Sequence, residues 1–140
     1  MSQQEDRRDR NQPESLRLRE VTPAITVNDL DASLAFYRDL LGFTVKEKWE
    51  QDGALAGVAL VAGSAHFMLQ QDDFKKGRDR PKGVALRFWL TSSRSVDELA
   101  ADVRERGGTF ESEPGDLPWG GRAFSVVDPD GFHLTITSEA

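Results

Sequence analysis

Two stretches of this chain run through the same series of signals, and that repetition limits the fold more than any single motif does. VTPAITV (21–27) reads as a strand and DLDASLAFYRDLLG (29–42) as a helix. In that helix Leu30, Leu34, Tyr37, Leu40 and Leu41 recur at helical spacing and Gly42 stands at the C-terminal cap. FTVKEKWE (43–50), ALAGVALVAG (54–63) and AHFMLQQ (65–71) then read as three strands parted by glycine-containing turns. The order returns with VALRFWL (84–90) as a strand and SVDELAADVRERGG (95–108) as a helix. TFESEP (109–114), GRAFSVV (121–127) and FHLTITS (132–138) follow as short strands. The chain is therefore expected to be βαβββ twice. One such module leaves a sheet face unburied, so two should pack together as an α+β fold. The expected form is a curved mixed sheet, a half-barrel with its helices outside and a concave face for a ligand.

The boundaries follow from composition. Residues 1–17 are polar and charged and are expected to be a disordered tail. Residues 18–140 form one domain, with modules at 18–71 and 84–138 and the polar linker 72–83 between them. No run approaches the roughly 18 apolar residues of a membrane span, and the N-terminus has no signal-peptide core. The reading is therefore cytoplasmic, with no membrane partner. Absence of cysteine excludes disulfides and thiolate metal sites. The net charge of -6, with five acids and five arginines balancing in residues 1–20, argues against nucleic acid as a partner.

VNDLDASLAFYRDLLGF (27–43) and DPDGFHLTI (128–136), joined by the helix and glycine pair of 95–108, resemble the vicinal oxygen chelate superfamily. Its members include glyoxalases, extradiol dioxygenases and bleomycin-resistance proteins. In its enzymes the resemblance implies one divalent metal in the concavity, held by ligands from the first and last strand of each module. Such a site needs several N or O donors converging within about 2.0–2.2 Å. Here the matching positions fall on Thr22, on Met68 or Gln70, on Ala85 and on Thr135. These do not make a chelating set, so no metal and no other cofactor is expected.

PWG before R-x-F and DPDG (118–131), and TPAITVNDLDAS (22–33), resemble the metal-free bleomycin-resistance branch. That branch binds flat drugs in grooves between two subunits. The resemblance implies a metal-independent, sequestering small-molecule-binding protein, a homodimer whose ligand is planar or anionic. Strand alternation puts Arg87 and Trp89 on the concave face, with His66, Met68 and Gln70 from the first module and His133 and Thr135 from the last strand. Trp119, Arg122 and Phe124 complete the candidate ligand contacts, while Trp49 and Tyr37 read as packing residues and Asp128 to Gly131 as a structural turn. Two readings compete: a metal-dependent lyase, isomerase or dioxygenase with shifted ligands, which requires His66 or His133 to bind the metal, and a scaffold or regulatory partner with no small ligand.

Overall fold

A computed structural model describes residues 16–78 and 80–139, so all but the last two residues of the expected disordered tail lie outside the described residues. The first module holds β1 (Ala24–Val27), α1 (Leu30–Leu34), β2 (Thr44–Gln51), β3 (Ala54–Ala62) and β4 (Ala65–Gln71). The second holds β5 (Arg87–Ser92), α2 (Val96–Glu105), β6 (Ser112–Asp116), β7 (Arg122–Val127) and β8 (His133–Ser138). Each module makes a four-stranded mixed sheet, in the orders β1-β4-β3-β2 and β5-β8-β7-β6. The first and last strands of each module pair in parallel and the others antiparallel. The fold is thus α+β, two mixed sheets with two helices and no closed barrel.

Local chemistry explains the element ends. Asp29 caps α1 by accepting from the amides of Asp31 and Ala32, and Ser95 caps α2 through Glu98. The first helix continues past Leu34 as a π-helical segment, Ala35–Leu40. Gly42 ends it at φ +98°, a conformation without steric cost only for glycine. Gln71 fastens the β1–α1 junction to β4. Its Oε1 accepts from the Leu30 amide at 2.9 Å and its Nε2 donates to the Asn28 carbonyl at 2.7 Å.

Three strands start three residues later than their sequences suggest: β1 begins at Ala24 where 21 was expected, β6 at Ser112 where 109 was expected, and β5 is displaced likewise. The expected strand 84–90 is observed as Arg87–Ser92. Gly83 and Ala85 both have positive φ, +66° and +56°, which takes the chain out of extended geometry before Arg87. Gly83 also crosses so close to the hairpin turn that a Cβ there would lie 2.5 Å from the Gly131 carbonyl. Residues 84–86 are occupied in that crossing and do not pair.

The apolar faces of both sheets share one core with both helices. Ile25, Val27, Val58, Leu60, Phe67 and Leu69 meet Phe124, Val126, Leu134 and Ile136, with Tyr37, Val96 and Val103 from the helical segments. Ring contacts link Phe67 to Phe88 at 5.1 Å and Phe88 to Phe132 at 6.2 Å, so the core is continuous across the modules. On the opposite face of the second sheet Arg87, Trp89 and Thr91 are exposed, while Ser125 and Thr135 are buried.

The DPDG turn locks the modules together. Asp128 Oδ1 accepts from the amides of Asp130 and Phe132, and its Oδ2 accepts from the Tyr37 hydroxyl at 2.7 Å. Asp130 accepts in turn from the Asn28 amide at 3.0 Å. Burial pushes the Asp128 carboxyl up despite the hydrogen bonds that hold its charge, and pushes the Tyr37 phenol well above its usual range.

Candidate functional site on the open sheet faces

Strand register places the side chains of each open face in cross-strand rows. In the first module one row is Thr26–Gln70–Gly57–Trp49 and the next Ala24–Met68–Ala59–Glu47. Trp49, expected as a packing residue, therefore lies on the face opposite the core and packs there. Its indole covers Gly57 so closely that a Cβ there would meet Trp49 Cζ2 at 2.2 Å. The glycine inside ALAGVALVAG was the available signal, since a strand glycine marks a close approach. His66 Nε2 sits 2.9 Å from Glu20 Oε1, at the start of the same face.

In the second module the rows are Arg87–His133–Val127 and Trp89–Thr135–Ser125–Ser112. Arg87, Trp89, His133 and Thr135 are thus brought together as expected. Arg87 Nη1 donates to Thr135 Oγ1 at 2.9 Å and to Glu111 Oε1 at 3.0 Å. Ser125 and Thr135 share a hydroxyl contact at 2.8 Å. Glu111 Oε2 also lies 2.7 Å from His133 Nδ1. The Arg87 guanidinium is the largest influence holding Glu111 below the usual carboxylate range, so Glu111 is ionised at neutral pH. Glu111 and Ser125 were not singled out in the sequence. Glu111 fell within the expected strand 109–114, but β6 begins at Ser112, and its pairing with Arg87 joins segments remote in sequence.

Trp89 and Trp119 are 54% and 72% exposed with ring centroids 6.3 Å apart, forming an aromatic corner beside Arg87. Arg122 and Phe124 do not join this face. Phe124 is buried in the shared core against Phe110, and Arg122 reaches Asp97 at 2.9 Å and Asp116 at 3.0 Å. Both belong to the helix-facing parity of β7.

The register also moves one position of the metal comparison. β1 and β4 end in the pair Val27↔Gln71, and β5 and β8 in Ser92↔Ser138. Superposing those ends matches Met68 with Thr135 and Ala24 with Trp89. Thr22 then corresponds to Arg87, two residues beyond the Ala85 read from sequence, which lies ahead of the strand at positive φ. By that superposition the positions that the family resemblance implies become Thr22, Met68, Arg87 and Thr135. A permanent cation occupies one of them. No group of three or more His, Cys, Asp or Glu side chains able to hold a metal occurs among the described residues. This donor set does not fit a divalent ion.

The family profile for the glyoxalase/bleomycin resistance protein/dioxygenase superfamily matches residues 18–136. The chain belongs to that superfamily. A curated lactoylglutathione lyase of Arabidopsis thaliana is 26% identical over 114 residues, covering 79% of this chain. The chain spans only 40% of that relative's length. Among solved structures, a superfamily member from Sphaerobacter thermophilus is 26% identical with TM-score 0.70, covering 89% of this chain and all of its own. TnmS3, an antibiotic binding protein from Streptomyces sp. CB03234, is 23% identical with TM-score 0.69, covering 90% of this chain and all of its own. At that identity TnmS3 shares the fold. No described helix is long and apolar enough to cross a membrane.

Proposed function

We propose that this superfamily member is a metal-independent small-molecule-binding protein that acts by sequestration in the cytoplasm. What supports the reading is the Arg87 guanidinium, held by Glu111 and Thr135 at one of the four positions, Thr22, Met68, Arg87 and Thr135, that the family resemblance implies for metal ligands. A guanidinium has only N–H donors and no lone pair to give a divalent cation. The exposed Trp89–Trp119 corner and the Trp49 platform supply stacking surface for a planar group. Sequestration needs only this: uptake into an aromatic, hydrogen-bonding concavity lowers the free concentration of the ligand.

The binding unit is proposed to be a homodimer. Among the described residues β1 and β5 are edge strands with no partner on one side. Exposed Leu18 and Val21 lead into β1, and exposed Val84 and Leu86 into β5. A second copy covering these edges would bring open faces opposite one another as grooves.

The similarity to lactoylglutathione lyases sustains a second reading, a metal-dependent enzyme. Elemental analysis of untagged protein, incubated with Mn²⁺, Fe²⁺, Ni²⁺ and Zn²⁺ and desalted, decides between them. The expected content is below about a tenth of an equivalent per chain. Near one equivalent, lost in His133→Ala or His66→Ala, the binding-protein reading fails and the enzyme reading takes its place.

A further inference from the structure

The second module's open face carries an inference about ligand class that rests on the binding reading above. Oxygen lines this face. Thr137 donates to Thr91 at 3.3 Å, Ser125 and Thr135 share a contact, and Arg87 joins Thr135 to Glu111. The Glu111 carboxylate grips Arg87 with both oxygens, at 3.0 and 3.4 Å, so guanidinium and carboxylate cancel. Arg87 is therefore not a spare cation waiting for an anion. A carboxylate or phosphate arriving here would meet the ionised Glu111 within a few ångströms, or would have to displace it.

What the face offers is donors and acceptors side by side. Glu111 only accepts, Arg87 only donates, and the hydroxyls of Thr91 and Thr137 do both. His133 adds an imidazole that is about one third exposed, with its Nδ1 2.7 Å from Glu111 Oε2. Beside them stand the two exposed indoles, inclined at 51°. We infer that this face takes an uncharged polyhydroxylated ring of the saccharide class. Each ring hydroxyl is donor and acceptor at once and so satisfies a mixed face. The C–H side of such a ring lies flat on an indole by dispersion, without needing aromatic character of its own. The anionic ligand suggested by Arg87 in the sequence is replaced by this reading, because the sequence did not show Glu111 beside it.

The test uses the full-length protein and measures saturation-transfer NMR and Trp emission with four probes: methyl β-glucopyranoside, benzyl β-glucopyranoside, benzoate and inorganic phosphate. Wild type should respond saturably to the glucosides, with the benzyl form tighter, and not to benzoate or phosphate. Trp89→Phe should weaken glucoside binding at least fivefold. Glu111→Gln, which frees Arg87, should weaken the glucosides and let benzoate bind, an inversion that a purely structural ion pair would not produce. Unchanged thermal melting of both variants separates these effects from unfolding. Benzoate or phosphate binding to wild type more tightly than the glucosides overturns the ligand class while leaving the binding reading intact. No response to any probe in wild type or Glu111→Gln overturns the inference and counts against binding at this face altogether.

Discussion

Asp72 illustrates how a linker carboxylate becomes structural. It is buried at the end of the first module, where Lys82 Nζ approaches at 2.9 Å and Arg80 Nη2 at 3.2 Å. Its Oδ1 accepts from the Phe74 amide at 3.0 Å, and these bonds, Lys82 first, lower its pKa from 3.8 to about 2. A carboxylate whose folded value is depressed stabilises the fold above its unfolded value and loses that contribution as the pH falls through the folded one. The Asp72 share is therefore full above about pH 4 and disappears towards pH 2. Carboxyl NMR titration should find the midpoint near 2 in wild type, shifted towards 3.8 in Lys82→Met. An unshifted midpoint in the variant would assign the effect to Arg80 and the amide instead. None of this was legible in DDFKKGRDRPKG, which reads as a solvated loop because nearness in sequence does not show which lysine folds back onto which aspartate.

Among the elements, the hairpin turn joining β7 and β8 gives the clearest agreement between sequence and structure. DPDG reads as a turn from its residue types, and the structure shows Gly131 at φ +88° with its amide bonded to the Asp128 carbonyl. The sequence does not show that the same turn clasps the helical segment of the other module through Tyr37. Tyr37→Phe should cost about 1–2 kcal/mol in urea unfolding and raise the Asp128 carboxyl further, because it removes a donor that holds the charge. Asp128→Ala should cost roughly 3–4 kcal/mol, because the phenol and two turn amides lose their acceptor together. Equal losses in the two variants would mean that the turn amides contribute nothing. β5 is the counter-example among elements. Its alternation correctly put Arg87 and Trp89 on the open side, yet its start was displaced by three residues because the crossing over Gly131 is a long-range packing event.

Taken as a whole molecule, the protein buries one face of each sheet in a common core and leaves the other two outside it. Such an arrangement is complete as a fold and incomplete as a ligand cavity, which is the physical basis for the proposed dimer. Sedimentation equilibrium should give twice the 15.6 kDa chain mass. Val84→Glu combined with Leu86→Glu should return the protein to one chain mass and weaken Trp quenching by ligand, with no loss of helicity. A wild-type monomer with full ligand affinity would remove the second copy from the binding unit. By itself, the sequence determined the doubled βαβββ order, the helices and the parity of most strands, because periodicity and turn chemistry act over a few neighbouring residues. The tertiary structure alone decided that Glu111 neutralises Arg87, that Ala85 lies ahead of β5 at positive φ, and that Trp49 lies on Gly57. Each depends on the register between strands remote in sequence, which is set by packing across the whole core and leaves no mark in the pattern of any single segment.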